Sequence, residues 1–256
     1  MKRHIILLFT LLAIAVAYAA PSVGTTFQDT KTEADNAYQQ KDYPRAVNLY
    51  ERFLREHPAS ASAHYNLGNC YYRLQNYPQA VLHYERALKY NPADDDARFN
   101  LSLVRTKTED QFGEASEMFF IRWGKQLRDQ ATADTWAVWG LVLFGLSLCA
   151  LLVYLFSRPL LLRKCSFFGA IILFATAVAA HCFGTWQHTR ATESQRAVVM
   201  QTCPLREGPS DSAKGSFDLH PGTGVRLVDT SIRGWMQVEL SDGRTGWIEA
   251  GKATIV

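Results

Sequence analysis

Cysteine is scarce and badly placed for structural use. The 256 residues hold five, Cys70, Cys149, Cys165, Cys182 and Cys203, an odd number with no Cys-x-x-Cys spacing. That excludes a disulfide framework and a zinc knuckle. Cys70 lies among helical apolar residues and reads as a small packed hydrophobe, and a bridge to Cys203 would have to join separate modules. Charge of one sign is also missing: the formal net charge is +3, with no Lys/Arg-rich run interleaved with aromatics. Nucleic acid therefore has no footing as a partner. No G-x-S-x-G, H-E-x-x-H or Gly-rich phosphate loop occurs, and the histidines are scattered. The expectation is a protein that is not an enzyme and uses no cofactor and no metal.

Two stretches lack Asp, Glu, Lys and Arg altogether, 135–157 and 165–186. Each supplies the roughly 20 apolar residues that a helix needs to cross a bilayer core. Neither alternates in polarity as a barrel strand would, so the pair reads as a transmembrane helical hairpin closed by the loop 158–164. His181 is the one histidine inside it. It is a functional group in the membrane or a side chain that snorkels or bonds to the other span, and without an acidic residue it has no second member for a proton relay. Ala180 and Gly184 suit close helix approach.

Residues 1–19 combine Lys2, Arg3 and His4, an apolar run and Ala17-x-Ala19. This reads as a signal peptide cut after Ala19, the alternative being an uncleaved anchor. A cleaved signal places the next module outside the cytoplasm. The first span then enters, Arg158, Arg163 and Lys164 stay cytoplasmic, and the second span returns the chain to the outside. The expected location is the bacterial inner membrane with two spans and both soluble modules periplasmic.

Between the leader and the hairpin the sequence repeats every 34 residues: Tyr43-Pro44 as Tyr77-Pro78, Ala46-Val47 as Ala80-Val81, Tyr50-Glu51-Arg52 as Tyr84-Glu85-Arg86, Leu54 as Leu88, Pro58 as Pro92. That period marks stacked helix-turn-helix units. With Asn66-Leu67-Gly68, Tyr71, Ala80, Tyr84, Ala87 and Pro92 in the second copy, the region resembles the tetratricopeptide repeat, although His64 stands where the family usually has Trp. The array spans 27–110, with copies at 27–60 and 61–94 and a capping third helix from about Asp95 to Thr108. The run Asp94-Asp95-Asp96 reads as a helix N-cap in preference to a metal loop. The resemblance implies a concave protein-binding groove carrying Lys31, Asp35, Tyr38, Tyr65, Asn69, Tyr72 and Arg73. Tyr38 and Tyr72 suit equally well as packing between helices. Mixed charge there does not resemble a basic clamp for a carboxylate tail.

Residues 111–134 mix Phe112, Phe119, Phe120, Trp123 and Leu127 with Arg122, Lys125 and Arg128. This reads as a juxtamembrane amphipathic segment at headgroup level, or as a connecting helix under the repeats.

After Gln195 the period changes to short alternating runs punctuated by Gly and Pro, the mark of a small all-β barrel. Asp242-Gly243 sets a hairpin turn, and Trp235 and Trp247 are expected to carry much of the core. Leu205-Arg206-Glu207-Gly208-Pro209-Ser210, Pro221-Gly222-Thr223, Gly234-Trp235 and Gly243-Arg244-Thr245-Gly246-Trp247-Ile248 make 195–256 resemble a bacterial SH3-like domain. The resemblance implies a binding surface for cell-wall peptide or protein at Arg206, Ser210, Trp235 and Trp247; both tryptophans also fit a purely structural role.

The fold class is thus a multi-domain membrane protein: α-helical tetratricopeptide-repeat module, transmembrane helical hairpin, small all-β SH3-like barrel. That order of modules resembles BatE-type aerotolerance proteins. The resemblance implies an inner-membrane scaffold or adaptor in an envelope-integrity complex with von Willebrand A-domain membrane proteins and a MoxR-type ATPase. The rival expectation is an envelope sensor or transporter accessory that signals through the hairpin.

Overall fold

The computed structural model describes residues 25–113, 118–192 and 196–256. The expected signal peptide lies outside the described residues.

Five helices form the N-terminal array: α1 (Thr25–Gln39), α2 (Tyr43–Glu56), α3 (Ala61–Arg73), α4 (Tyr77–Tyr90) and α5 (Asp95–Arg105). Their ends follow from local chemistry. Asp42, Ser60, Asn76 and Asp94 each accept from the backbone N–H three residues on, and Pro44 and Pro78 occupy first-turn positions that need no donor. The α1–α2 and α3–α4 turns share one device, a left-handed residue at Lys41 (φ 63°) and at Gln75 (φ 60°). Asp94 accepts from Ala97 N at 2.9 Å, and Asp95 pairs with Arg98, so the aspartate run caps a helix.

Inside the array the 34-residue period is also a period of hydrogen bonds. The Tyr50 hydroxyl donates to Asp35, which also accepts from Asn66 Nδ2 at 3.0 Å. One repeat later, the Tyr84 hydroxyl donates to Asn69 Oδ1 at 2.7 Å, and Asn100 Nδ2 donates to the same oxygen at 3.0 Å. Both tyrosines are 1% exposed, so each hydroxyl needs a partner where water cannot reach. Small residues let the helices close: a methyl group on Gly68 would sit 2.8 Å from the Tyr84 ring.

A short helix α6 (Phe119–Arg128) leads to α7 (Ala133–Phe156) and α8 (Leu160–Thr192). Both long helices are long and apolar enough to cross a membrane. Leu160–Lys164, expected in the loop, are already helical, leaving Ser157–Pro159 as the turn. The small residues face inward: Gly140, Ser147, Ala170, Ala177, Ala180 and Gly184 are buried along the α7–α8 seam, and Ser147 Oγ donates to Ala170 O at 3.1 Å. His181 points the other way and is exposed on the outer face of α8, so it makes no bond to the partner helix.

The C-terminal domain is one antiparallel sheet of seven strands in the order β3-β2-β6-β5-β4-β1-β7. The strands are β1 (Arg196–Val199), β2 (Cys203–Arg206), β3 (Gly215–Leu219), β4 (Gly224–Asp229), β5 (Trp235–Glu239), β6 (Thr245–Glu249) and β7 (Ala253–Ile255). Alternation along the strands turns Leu205, Leu219, Val225, Met236, Val238 and Ile248 into a shared core. Here one expectation fails. Trp235 and Trp247 sit out of phase with Met236, Val238 and Ile248, so they lie half-buried on the outer face and do not form the core.

The two soluble domains pack on each other. Val198, Met200 and Val256 join Val81, Leu82, Leu101 and Val104 in one apolar cluster. Around it, buried Glu85 receives Arg105 at 2.5 Å and Arg196 at 2.9 Å, while Arg86 and Lys89 each donate to a C-terminal carbonyl, Ile255 O and Val256 O, at 2.9 Å. Asp110 is the second anchor: its carboxylate accepts from His220 N (2.7 Å), Thr223 Oγ1 (2.6 Å) and His220 Nδ1 (2.8 Å). The array is therefore covered by α5 together with the β-domain, where α5 alone was expected to close it. Phe112, assigned from sequence to the juxtamembrane segment, instead packs beside Phe217 at the rim of the β-domain core, with Arg244 stacked on both rings.

Candidate functional site

The concave side of the array holds a cleft of about 280 Å3 lined by Tyr38, Tyr65, Asn69, Tyr72, Arg73, Tyr84, Asn100 and Leu103. Five of the seven residues singled out for a groove therefore converge. Tyr38 and Tyr72 are one period apart and recur on the same face of α1 and α3, and Tyr65, Asn69 and Arg73 share that face of α3 with Tyr72. The remaining two stand aside. Lys31 pairs with Asp35 at 3.0 Å, and Asp35 is occupied by Tyr50 and Asn66, so this carboxylate belongs to the seam between helices.

Asn69 is spoken for in the same way by Tyr84 and Asn100; it forms part of the wall, held in a fixed orientation. Asn100 also reaches the Tyr65 hydroxyl at 3.2 Å. The tyrosine edges and the Arg73 guanidinium, on an exposed residue, are left as the adaptable lining. An interaction with the Tyr38 hydroxyl favours the charged form of Arg73 and raises its pKa further. Tyr84, Asn100 and Leu103 were missed from sequence. Tyr84 was read as filler between helices, and α5 as a cap; the signal for Asn100 was its placement 34 residues after Asn66.

On the β-domain, Arg206 and Trp247 are paired across β2 and β6, and Trp247 is paired with Gln237 across β5 and β6. Trp235, opposite Glu249, is the diagonal neighbour of Trp247 on the same outward face. Arg206 has a structural task as well: Nη1 donates to Asp211 O at 2.7 Å and Ala213 O at 3.0 Å and so closes the 207–214 loop. Ser210 sits in that loop, its hydroxyl 2.9 Å from that of Ser212. β2 and β6 approach so closely that a methyl group on Gly246 would lie 2.9 Å from Arg206 O. The outward strip is therefore a rigid platform with two aromatic faces and a cation at one end.

Nothing in either place resembles a reaction centre. Burial pushes the Cys70 thiol up to about 12 and that of Cys203 up to about 11, so both stay protonated at neutral pH. His64 and His83 do meet, Nδ1 to Nδ1 at 3.0 Å, but they are buried between α3 and α4. His64 Nε2 lies 3.0 Å from Pro58 O. A carbonyl only accepts, so His64 carries its proton on Nε2 and its Nδ1 accepts from His83. Both imidazoles are held neutral: burial, with Arg86 and Lys89 nearby, lowers His64 to about 4, against the bond to Pro58, and burial drives His83 down as well. No cluster of three metal-ligating side chains occurs among the described residues.

Comparison with known proteins assigns regions of the chain. Residues 31–88 and 71–110 match a family model for the tetratricopeptide repeat. Residues 199–252 match one for the bacterial SH3 domain. No curated protein matches the chain. The first matches cover the array through α5 and the other covers most of the seven-stranded sheet; both are families of binding modules and neither is an enzyme family. The chain thus joins a tetratricopeptide-repeat region to a bacterial SH3-like domain, with two apolar helices between them.

Proposed function

We propose that the protein is an inner-membrane adaptor whose hairpin holds two binding modules at the periplasmic face. The array cleft takes a segment of a partner protein, and the Arg206, Trp235 and Trp247 face of the β-domain takes cell-wall peptide or a second protein. The observation that carries this is the convergence of Tyr38, Tyr65, Asn69, Tyr72 and Arg73 on one cleft whose hydrogen-bonded wall is already ordered. A preorganised, tyrosine-lined concavity suits an extended peptide or partner helix. The contact between the domains on either side of the hairpin supports a common side for both. A hairpin whose seam is closed by small residues and Ser147, and whose two apolar stretches carry no Asp, Glu, Lys or Arg, supports anchorage over conduction. In a BatE-like envelope-integrity setting the partners are von Willebrand A-domain membrane proteins and a MoxR-type ATPase complex.

Photocrosslinkers placed at Tyr65 and at Arg73 in intact cells test the reading. One protein captured from both positions, and lost from the Tyr65 probe when Tyr72→Ala is added, is the expected result. A normally expressed, membrane-inserted chain that captures no protein from either position would sink it.

A further inference from the structure

The α6 helix and the hairpin share an apolar surface that the adaptor reading does not use. Successive helix residues turn by about 100°, which places Phe120, Trp123 and Leu127 on one stripe and Arg122 and Lys125 on the opposite side. The aromatic side is bare: Phe119 is 82% exposed, Phe120 56% and Trp123 63%. Such a cluster in a water-facing helix would be an aggregation hazard.

What makes it directional is how α6 is fastened. At its C-terminal end Arg128 O accepts from Trp136 Nε1 at 2.9 Å and from Gln187 Nε2 at 3.2 Å. Gln187 also reaches Asp129 Oδ1 at 3.2 Å, Arg128 pairs with Asp129 at 2.6 Å, and its guanidinium lies 4.4 Å from the Trp186 ring centre. These bonds tie the C-terminal end of α6 to both α7 and α8. They also set Leu127 into a groove of about 560 Å3 whose other walls include Trp136, Trp139, Leu143, Ala180 and Phe183 of the hairpin. Through Leu127 the apolar stripe of α6 meets the outer surface of the two candidate spans, and the basic side of the helix lies opposite that stripe.

From this we infer that α6 lies in the headgroup layer as a binding surface for anionic phospholipid. Acyl chains occupy the groove under Leu127, the aromatic side chains enter the boundary between headgroups and chains, and Arg122 and Lys125 meet lipid phosphates. The segregation of two cations opposite the aromatic stripe is the charge pattern of a helix lying on an acidic membrane. The inference rests on membrane insertion of the hairpin.

The test uses the full chain in two arms. Benzoylphenylalanine in place of Phe120, irradiated in intact cells, is expected to give lipid adducts. The purified chain, reconstituted in phosphatidylcholine mixed with phosphatidylglycerol and re-extracted in mild detergent, is expected to retain phosphatidylglycerol preferentially, on the order of tenfold. R122Q/K125Q should bring that preference down towards the bulk composition without loss of helix content. Protein adducts at position 120 would overturn the inference in favour of a partner helix, as would equal retention of the two lipids or a preference that survives R122Q/K125Q. Alkaline carbonate separates the two readings. A chain stripped from membranes by it refutes the anchor itself, whereas a resistant chain without lipid adducts refutes only the role given to α6.

Discussion

Acidification should destabilise this protein through the buried His64–His83 pair before its carboxylates titrate. His64 is 5% exposed and its folded pKa is lowered to about 4, and His83, 7% exposed, is lowered in the same direction. The groups facing the pair are Arg86 and Lys89 on α4, which repel a second charge, the Tyr71 and Tyr90 rings, and Pro58 O; no carboxylate is among them. A histidine whose folded pKa is depressed contributes no penalty above its unfolded value of about 6.5; below it the unfolded chain takes up the proton and the folded chain does not. Stability therefore falls from about pH 6.5 downwards, by about 1.4 kcal/mol for each pH unit and each histidine that stays neutral. At pH 5 that is about 2 kcal/mol from His64 alone, a fall of roughly 4–8 °C in Tm for a cooperative unit of this size. His83 adds to it. Thermal unfolding of the detergent-solubilised chain, followed by circular dichroism between pH 7.5 and 5, would show this for the wild type and a much flatter dependence for H64L/H83L. Equal pH dependence in the two proteins would refute the reasoning, since every other titrating group is common to both.

The interface between the domains makes the opposite demand on pH. His220 is raised by its bond to Asp110, so its contribution is present below about pH 6.5 and is lost as pH rises through the higher folded value. Asp110→Ala removes three accepted hydrogen bonds and should cost about 2–3 kcal/mol of docking, read as faster proteolysis of the 106–113 segment at neutral pH. Gly246→Ala should destabilise the β-domain by about 1–3 kcal/mol because Arg206 O cannot retreat from the new methyl group, while Gly68→Ala should do the same to the array by displacing Tyr84; denaturant midpoints check both. Gln75→Gly relieves a left-handed residue and should be neutral or stabilise by up to about 1 kcal/mol, whereas Gly at Gln79, inside α4, should destabilise. Because Cys70 and Cys203 are buried, Ser62→Cys and Ser216→Cys, both at exposed positions, are the sites for an impermeant thiol reagent in whole cells. Labelling of both from outside is the outcome expected for a shared periplasmic side, and labelling of one alone would exclude it.

The repeat period, the apolar pair and the change to two-residue alternation were all readable because each is a local pattern that survives in one dimension. The same period puts Tyr38 and Tyr72 on one helix face, and both line the cleft. What the pattern could not separate was a residue that lines a cleft from one that seals a seam: Asp35 and Asn69 hold equivalent positions, yet both are engaged by a tyrosine and an asparagine from the following helices. Trp235 and Trp247 misled because size argues for the core while strand phase puts them outside, and phase is set by the pairing of Met236 with Ile248.

By itself, then, the sequence determined which segments are helix, strand and apolar span, since propensity, caps and hydrophobic period act within a few residues of chain. Only the tertiary structure decided that the β-domain closes the helical array, that Asp110 and Phe112 belong to that contact, and that the C-terminal end of α6 is bonded to both long helices. Those outcomes depend on bonds between residues as far apart as Asp110 and Thr223 or Arg128 and Gln187. No short-range pattern records such pairs, because what selects them is the burial of polar groups that would otherwise go unsatisfied.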